Sequence, residues 1–191
     1  RTTGNDNIIL ATAQGMAICF NENDVRCMGR DAAGVRGITL NEGDIVVGAQ
    51  KWEEGKTLLT VTENGYGKRT ELPEYLRTGP DGEKVPQSRG GKGLKNYNIT
   101  PKTGNVAGCV VVGETDDVML IENGGVIIRV PANSINVYKR DVQGVIVMRI
   151  EEGNKLVECV PNVNTDDVEE FPEERNAADI IPGNLSEDAG E

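Results

Sequence analysis

Three stretches of the chain share one order of apolar and polar positions. Ile8–Gly15 reads IILATAQG, Leu58–Gly65 reads LLTVTENG and Val118–Gly125 reads VMLIENGG. Each is a short apolar run closed by polar residues and a glycine, the pattern of a strand entering a tight hairpin. The next five residues, MAICF, YGKRT and VIIRV, predict the returning strand. A second glycine follows at Gly34, Gly93 and Gly144. A third, at Gly43, Gly104 and Gly153, opens the last turn of each unit. First and second glycines are 19, 28 and 19 residues apart, and second and third are 9, 11 and 9 apart. The middle unit is lengthened by a loop insertion at residues 78–86, TGPDGEKVP.

About four short strands in roughly 50 residues is the arithmetic of a propeller blade. No unit carries a sustained 3.6-residue period, which excludes a helical solenoid. The pattern predicts an all-β, propeller-like array of three four-stranded blades, with units at 6–53, 54–113 and 114–162.

Composition narrows the chemistry. The 191 residues include no histidine, so no Ser-His-Asp or Cys-His catalytic set and no His-ligated zinc can be built from this chain. Cys19, Cys27, Cys109 and Cys159 form no C-x-x-C pair and read as reduced, mostly buried thiols. RGGKGLK is not a phosphate-binding loop, because Pro86 stands where its first glycine belongs and Gly93 replaces the Ser or Thr. The acidic pairs around Glu42–Asp44 and Asp116–Asp117 read as turn residues. Tyr66, Tyr75, Tyr97 and Tyr138 are expected to pack on blade faces. The chain has no signal-peptide pattern and no apolar run long enough to span a bilayer, so a cytoplasmic location away from membranes is expected. No catalytic residue and no metal ligand is nominated.

The net charge of −11 is unevenly spread. Residues 163–191 hold ten acids against Arg175 alone, a net −9, which leaves −2 for residues 1–162. That end reads as a disordered acidic tail able to compete for a basic surface. Within the body, three windows around the second glycines are basic. Residues 26–39 carry +2 (Arg26, Arg30, Arg36), residues 85–98 carry +3 (Arg89, Lys92, Lys95) and residues 136–149 carry +2 (Lys139, Arg140, Arg149). Long cationic side chains on single turns are ordinary solvation. Three such turns in register, beside backbone-exposing glycines, suit repeated phosphate contacts. Few aromatics argue against a stacking platform for single strands, so a duplex backbone read by charge and shape fits better.

Val25–Asp44 (VRCMGRDAAGVRGITLNEGD), Thr62–Tyr75 (TENGYGKRTELPEY) and Gln87–Gly93 (QSRGGKG) resemble the C-terminal domain of the bacterial DNA gyrase A subunit. The resemblance covers nearly all of residues 6–162. It implies a β-pinwheel, a propeller-like disc usually of six blades, that binds and bends duplex DNA around a basic perimeter. Wrapping of that kind supports ATP-dependent negative supercoiling by the holoenzyme. The family's box reads Q-R-R-G-G-K/R-G. Here Gln87, Ser88, Arg89, Gly90, Gly91, Lys92 and Gly93 depart from it at Ser88 and lie in the middle unit. With only one blade between that unit and the acidic tail, and no initiating methionine, the chain reads as the C-terminal half of a pinwheel.

The resemblance further implies a non-catalytic part of a type IIA topoisomerase, with ATP and Mg²⁺ belonging to other domains. The expected partners are the DNA backbone, the upstream half of the disc, the gyrase A catalytic core and gyrase B, in a nucleoid-associated setting, with self-association of the half-array. Strand residues Lys68, Arg69 and Arg129 join the basic-turn residues as candidate DNA contacts. Two alternatives are the corresponding module of topoisomerase IV, a decatenase, and a propeller-like module that binds protein.

Overall fold

The computed structural model describes residues 1–162, and the expected acidic tail lies outside the described residues. The regular structure of the described residues is almost wholly short antiparallel strands. β1 (Asn7–Thr12), β2 (Met16–Asn21) and β3 (Val46–Lys51) come from the first unit. β4 (Thr57–Thr62), β5 (Tyr66–Glu71), β6 (Arg77–Thr78), β7 (Lys84–Val85), β8 (Leu94–Lys95) and β9 (Val106–Val112) come from the second. β10 (Asp117–Glu122), β11 (Ile127–Pro131), β12 (Val145–Ile146) and β13 (Leu156–Asn162) come from the third.

The three opening hairpins are copies. Gly15, Gly65 and Gly125 adopt φ of 80°, 77° and 92°, which a residue with a Cβ reaches only under strain. Their N–H groups donate to the carbonyls of Thr12, Thr62 and Glu122. The register between the hairpin's first strand and the unit's last strand shifts at Ala11/Thr12, Val61/Thr62 and Ile121/Glu122, one bulge at the same place in each unit.

Each sheet runs from a unit's last strand through its hairpin, and the first two then take a fourth strand from the unit that follows. The first sheet has the order β3-β1-β2-β8 and the second β9-β4-β5-β12. The third, β13-β10-β11, has three strands among the described residues. The sequence places four strands in each unit. The structure corrects where the fourth one goes: β8 pairs Leu94 with Ala17, and β12 pairs Val145 with Gly67, each on the preceding blade. The insertion at 78–86 is part of a small ribbon of β6 and β7.

Packing follows from this order. β4 is buried along its whole length because the middle blade is covered on both faces. Leu58 packs with Ile9, Ala17, Tyr75 and Val111 toward the first blade. Leu59 and Val61 pack with Val118, Leu120, Ile135 and Leu156 toward the third. β10 buries every second residue, the mark of a sheet covered on one face. The innermost strands lie side by side, with β9 between β3 and β13. Tyr66, Tyr75 and Tyr97 are buried in blade packing, and Asp44 and Asp116 accept backbone N–H bonds in turns.

Candidate nucleic-acid interface

The basic turns meet end to end, and the contact that joins them is the same each time. Arg89 donates from Nη1 to the carbonyl of Arg36 and from Nε to that of Asp24, 3.1 Å away. Arg140, four residues before its glycine as Arg89 is before Gly93, donates from Nη1 to the carbonyl of Lys95 at 3.0 Å. Each turn is therefore latched to the preceding one by an arginine on a backbone carbonyl. Arg26, Arg30, Arg36, Lys92, Lys95, Lys139 and Arg149 stay exposed around these junctions, while Arg89 and Arg140 are half-buried.

The box-like segment turns out to be inter-blade packing as much as a charged surface. Gln87 donates from its backbone to Cys19 and from Nε2 to the carbonyl of Tyr75. Gly90 donates to Gly37, and Thr39 donates to Gly91 from its backbone and to Gly90 from its hydroxyl. Gly93, at φ 76°, brings its backbone so close to Ala17 that a Cβ would lie 2.3 Å from the Ala17 carbonyl oxygen. Gly144 repeats the approach on Gly67, also at 2.3 Å. The exposed Ser88, at the departure from the family's box, leaves these bonds in place.

Two candidate DNA contacts are corrected. Lys68 is fully buried on β5, with Nζ donating to the carbonyls of Lys139 (2.7 Å) and Arg140 (2.6 Å) and lying 5.3 Å from the centre of the Tyr97 ring. Arg69 is 4% exposed, and its Nε donates to the Ile135 carbonyl while Nη1 pairs with Glu114 at 2.7 Å. Neither can reach a phosphate. Burial pushes the Lys68 ammonium down to about 7, with nearby Arg140 adding to the effect against Asp141 and Glu74. A third candidate, Arg129, is exposed but paired with Asp117, which offsets its charge locally.

Sequence reasoning missed the buried pair because both lie on a strand that was expected to show cations to solvent. The only available sign was that position 68 corresponds to buried Ile18 and half-buried Ile128 in the other hairpins. The thiols of Cys19, Cys109 and Cys159 are buried and pushed up to about 12 by desolvation, so they stay protonated and unreactive.

The family model described as the DNA gyrase C-terminal domain, beta-propeller, matches residues 6–52, 56–112 and 116–161. The chain belongs to this family. The DNA gyrase A subunit of Staphylococcus epidermidis is 42% identical over 168 residues, covering 87% of this chain. That of Escherichia coli K12 is 38% identical over 156 residues, covering 82%. The chain spans less than a fifth of these relatives, 18% and 17% of their lengths. Among solved structures, the DNA gyrase A C-terminal domain superposes with a TM-score of 0.75 at 28% identity, over 85% of this chain and 52% of that one. The C-terminal domain of DNA topoisomerase IV gives 0.74 at 25% identity, over 84% and 47%. Membership in the family fits the β-blade array and the latched basic turns.

Proposed function

We propose that this domain binds and bends duplex DNA along its latched basic turns, as the non-catalytic wrapping module of a gyrase A subunit. The observation that carries the reading is the pair of junctions Arg89–Arg36 and Arg140–Lys95, which string three basic turns into one continuous track. Exposed lysines and arginines on both sides of each junction can meet successive phosphates, while the rigid blades fix their spacing. The cations act by charge and position, so binding is independent of base sequence. In the holoenzyme the domain would work beside the upstream half of the disc, the catalytic core and gyrase B, in the bacterial cytoplasm and nucleoid. ATP and Mg²⁺ are used elsewhere in that assembly. The chain would also self-associate. The TM-score of 0.74 to the topoisomerase IV domain keeps a decatenase module as the second reading.

Titrating a labelled duplex with the protein at several salt concentrations tests the proposal. Five to seven neutralised phosphates give a slope of about −5 to −6 in log K against log[salt]. Salt-independent binding, or none at low salt, overturns it. A supercoiling-against-decatenation assay with the domain joined to a gyrase or topoisomerase IV core separates the two enzyme classes.

A further inference from the structure

The second and third basic turns rest on different pairs of side chains. Beneath the second lie Ile18 and Ile38, both buried, with Ile18 Cδ1 3.6 Å from where a Cβ on Gly91 would stand. Beneath the third, the matching positions hold Lys68 and Tyr97, neither of them exposed. Lys68 stands three residues after its hairpin glycine, as Ile18 does, and Tyr97 four after its turn glycine, as Ile38 does. An isoleucine has nothing to give a backbone carbonyl, whereas a lysine and a tyrosine each donate.

This exchange turns peptide groups over. In the second turn the N–H groups point into the joint: Arg89 donates to the Asp24 carboxylate at 3.3 Å and Gly90 to the Gly37 carbonyl at 2.7 Å. In the third turn the carbonyls point inward instead. Those of Lys139 and Arg140 converge on Lys68 Nζ, and that of Gln143 accepts from the Tyr97 hydroxyl. Every described peptide is trans, so each N–H lies opposite its own carbonyl. The N–H groups of Arg140, Asp141 and Gly144 are therefore aimed away from the blade interior. What aims them is bonded within the described residues, at the joint between the second and third turns. There Asn98 also donates to the Val142 carbonyl and Arg140 to that of Lys95.

We propose that the third basic turn grips a phosphate of the DNA backbone with the N–H groups of Arg140 and Asp141, and that Lys68 and Tyr97 are the positioning residues that turn them outward. The site rests on the DNA-binding reading and adds to it a phosphate contact made by the main chain. Successive N–H groups on one side of a turn form an anion-binding concavity. Lys139 and Arg140 flank it with charge, and the Lys68 ammonium stands behind the same two peptides. Exposed Asp141 opposes the anion. The charged groups that act on Lys68 are Asp141, Arg140 and Glu74, with the Tyr97 ring 5.3 Å away. A phosphate held in front of these peptides favours the charged amine, so binding takes up a proton where Lys68 titrates, near 7.

Nuclear magnetic resonance of the isotope-labelled 191-residue chain, titrated in parallel with a short DNA duplex and with inorganic phosphate, tests this. The Arg140 and Asp141 amide protons should move downfield with both probes, while those of Arg89 and Gly90 stay near their starting positions. In Lys68→Met that response should disappear, and duplex affinity should fall about tenfold. Tyr97→Phe keeps the ring and should weaken binding in the same direction by a smaller factor, which serves if the lysine variant does not fold. Asp141→Asn should strengthen binding. From about pH 6 to pH 9 the parent's duplex affinity should fall severalfold more than that of Lys68→Met, a difference that lost packing alone does not produce. Duplex binding with the Arg140 and Asp141 amides unmoved overturns the proposal and leaves the DNA-binding reading standing. Amides that answer phosphate in a chain that binds no duplex do the reverse. Silence toward both probes, or an unchanged response in Lys68→Met, overturns the proposal as well.

Discussion

Replacing Lys68 by methionine should produce a change in stability that depends on pH in a defined direction. The ammonium sits without solvent access beneath the Lys139–Arg140 turn, and its folded value lies near 7 against 10.5 in the unfolded chain. Between these values the unfolded chain binds more protons than the folded one, so this residue makes stability rise with pH from about 7 toward 10.5. Below both values the full cost of burying the charge is present, and above both it vanishes. Between pH 6 and pH 9 the contribution amounts to about 2.5–3 kcal/mol at about 1.4 kcal/mol per unit.

The neutral amine keeps two N–H groups, enough for the two carbonyls it faces. Methionine fills similar space, as Ile18 does in the first blade, yet leaves both carbonyls without that partner at about 1–3 kcal/mol each. The variant should therefore be clearly less stable than the parent at pH 9. The deficit should shrink by about 2.5–3 kcal/mol at pH 6, where the parent carries the buried charge. Urea unfolding of both chains at the two pH values measures the difference, in which the other titrating groups cancel. A deficit that is the same at pH 6 and pH 9 refutes the reasoning.

The same arrangement makes two further predictions. Gly93→Ala combines a positive φ with a Cβ 2.3 Å from the Ala17 carbonyl oxygen, whereas Gly55→Ala has φ 75° and open space. Thermal unfolding should show Gly93→Ala costing at least about 2 kcal/mol more than the control, and equal costs would deny the close approach. Arg89→Ala should lower stability by about 1–3 kcal/mol through its lost carbonyl bonds, while Lys92→Ala stays within about 0.5 kcal/mol and weakens DNA binding alike for all sequences. Arg89→Ala behaving like Lys92→Ala in unfolding would remove the latch from the account.

The repeat was legible because glycine at positive φ leaves a mark that no other residue can easily replace. Gly15, Gly65 and Gly125 mark the hairpins, and Gly34, Gly93 and Gly144 mark the basic turns, all at positive φ. The short strands of each unit were legible too, although the first unit forms three of the expected four among the described residues. Their assignment to sheets was not, because a strand's residues carry its period and burial but do not name the neighbour that pairs with it. Leu94–Lys95 looks equally suited to its own blade and to the one before.

The charged track was legible only as composition. Lys68 and Arg69 count as +2 in any sequence window, yet both are spent inside the fold on carbonyls and on Glu114. Arg89 and Arg140 are half-buried, with guanidinium N–H groups donating to the neighbouring turn's backbone. A guanidinium can do this and remain charged, since it offers five N–H donors and is not deprotonated in proteins. A lysine latch in the same place would give up most of its reach toward a phosphate. Arginine at these two positions thus joins the blades while leaving N–H groups and positive charge on the track. That explains physically how one short basic turn can hold the array together and remain suited to DNA.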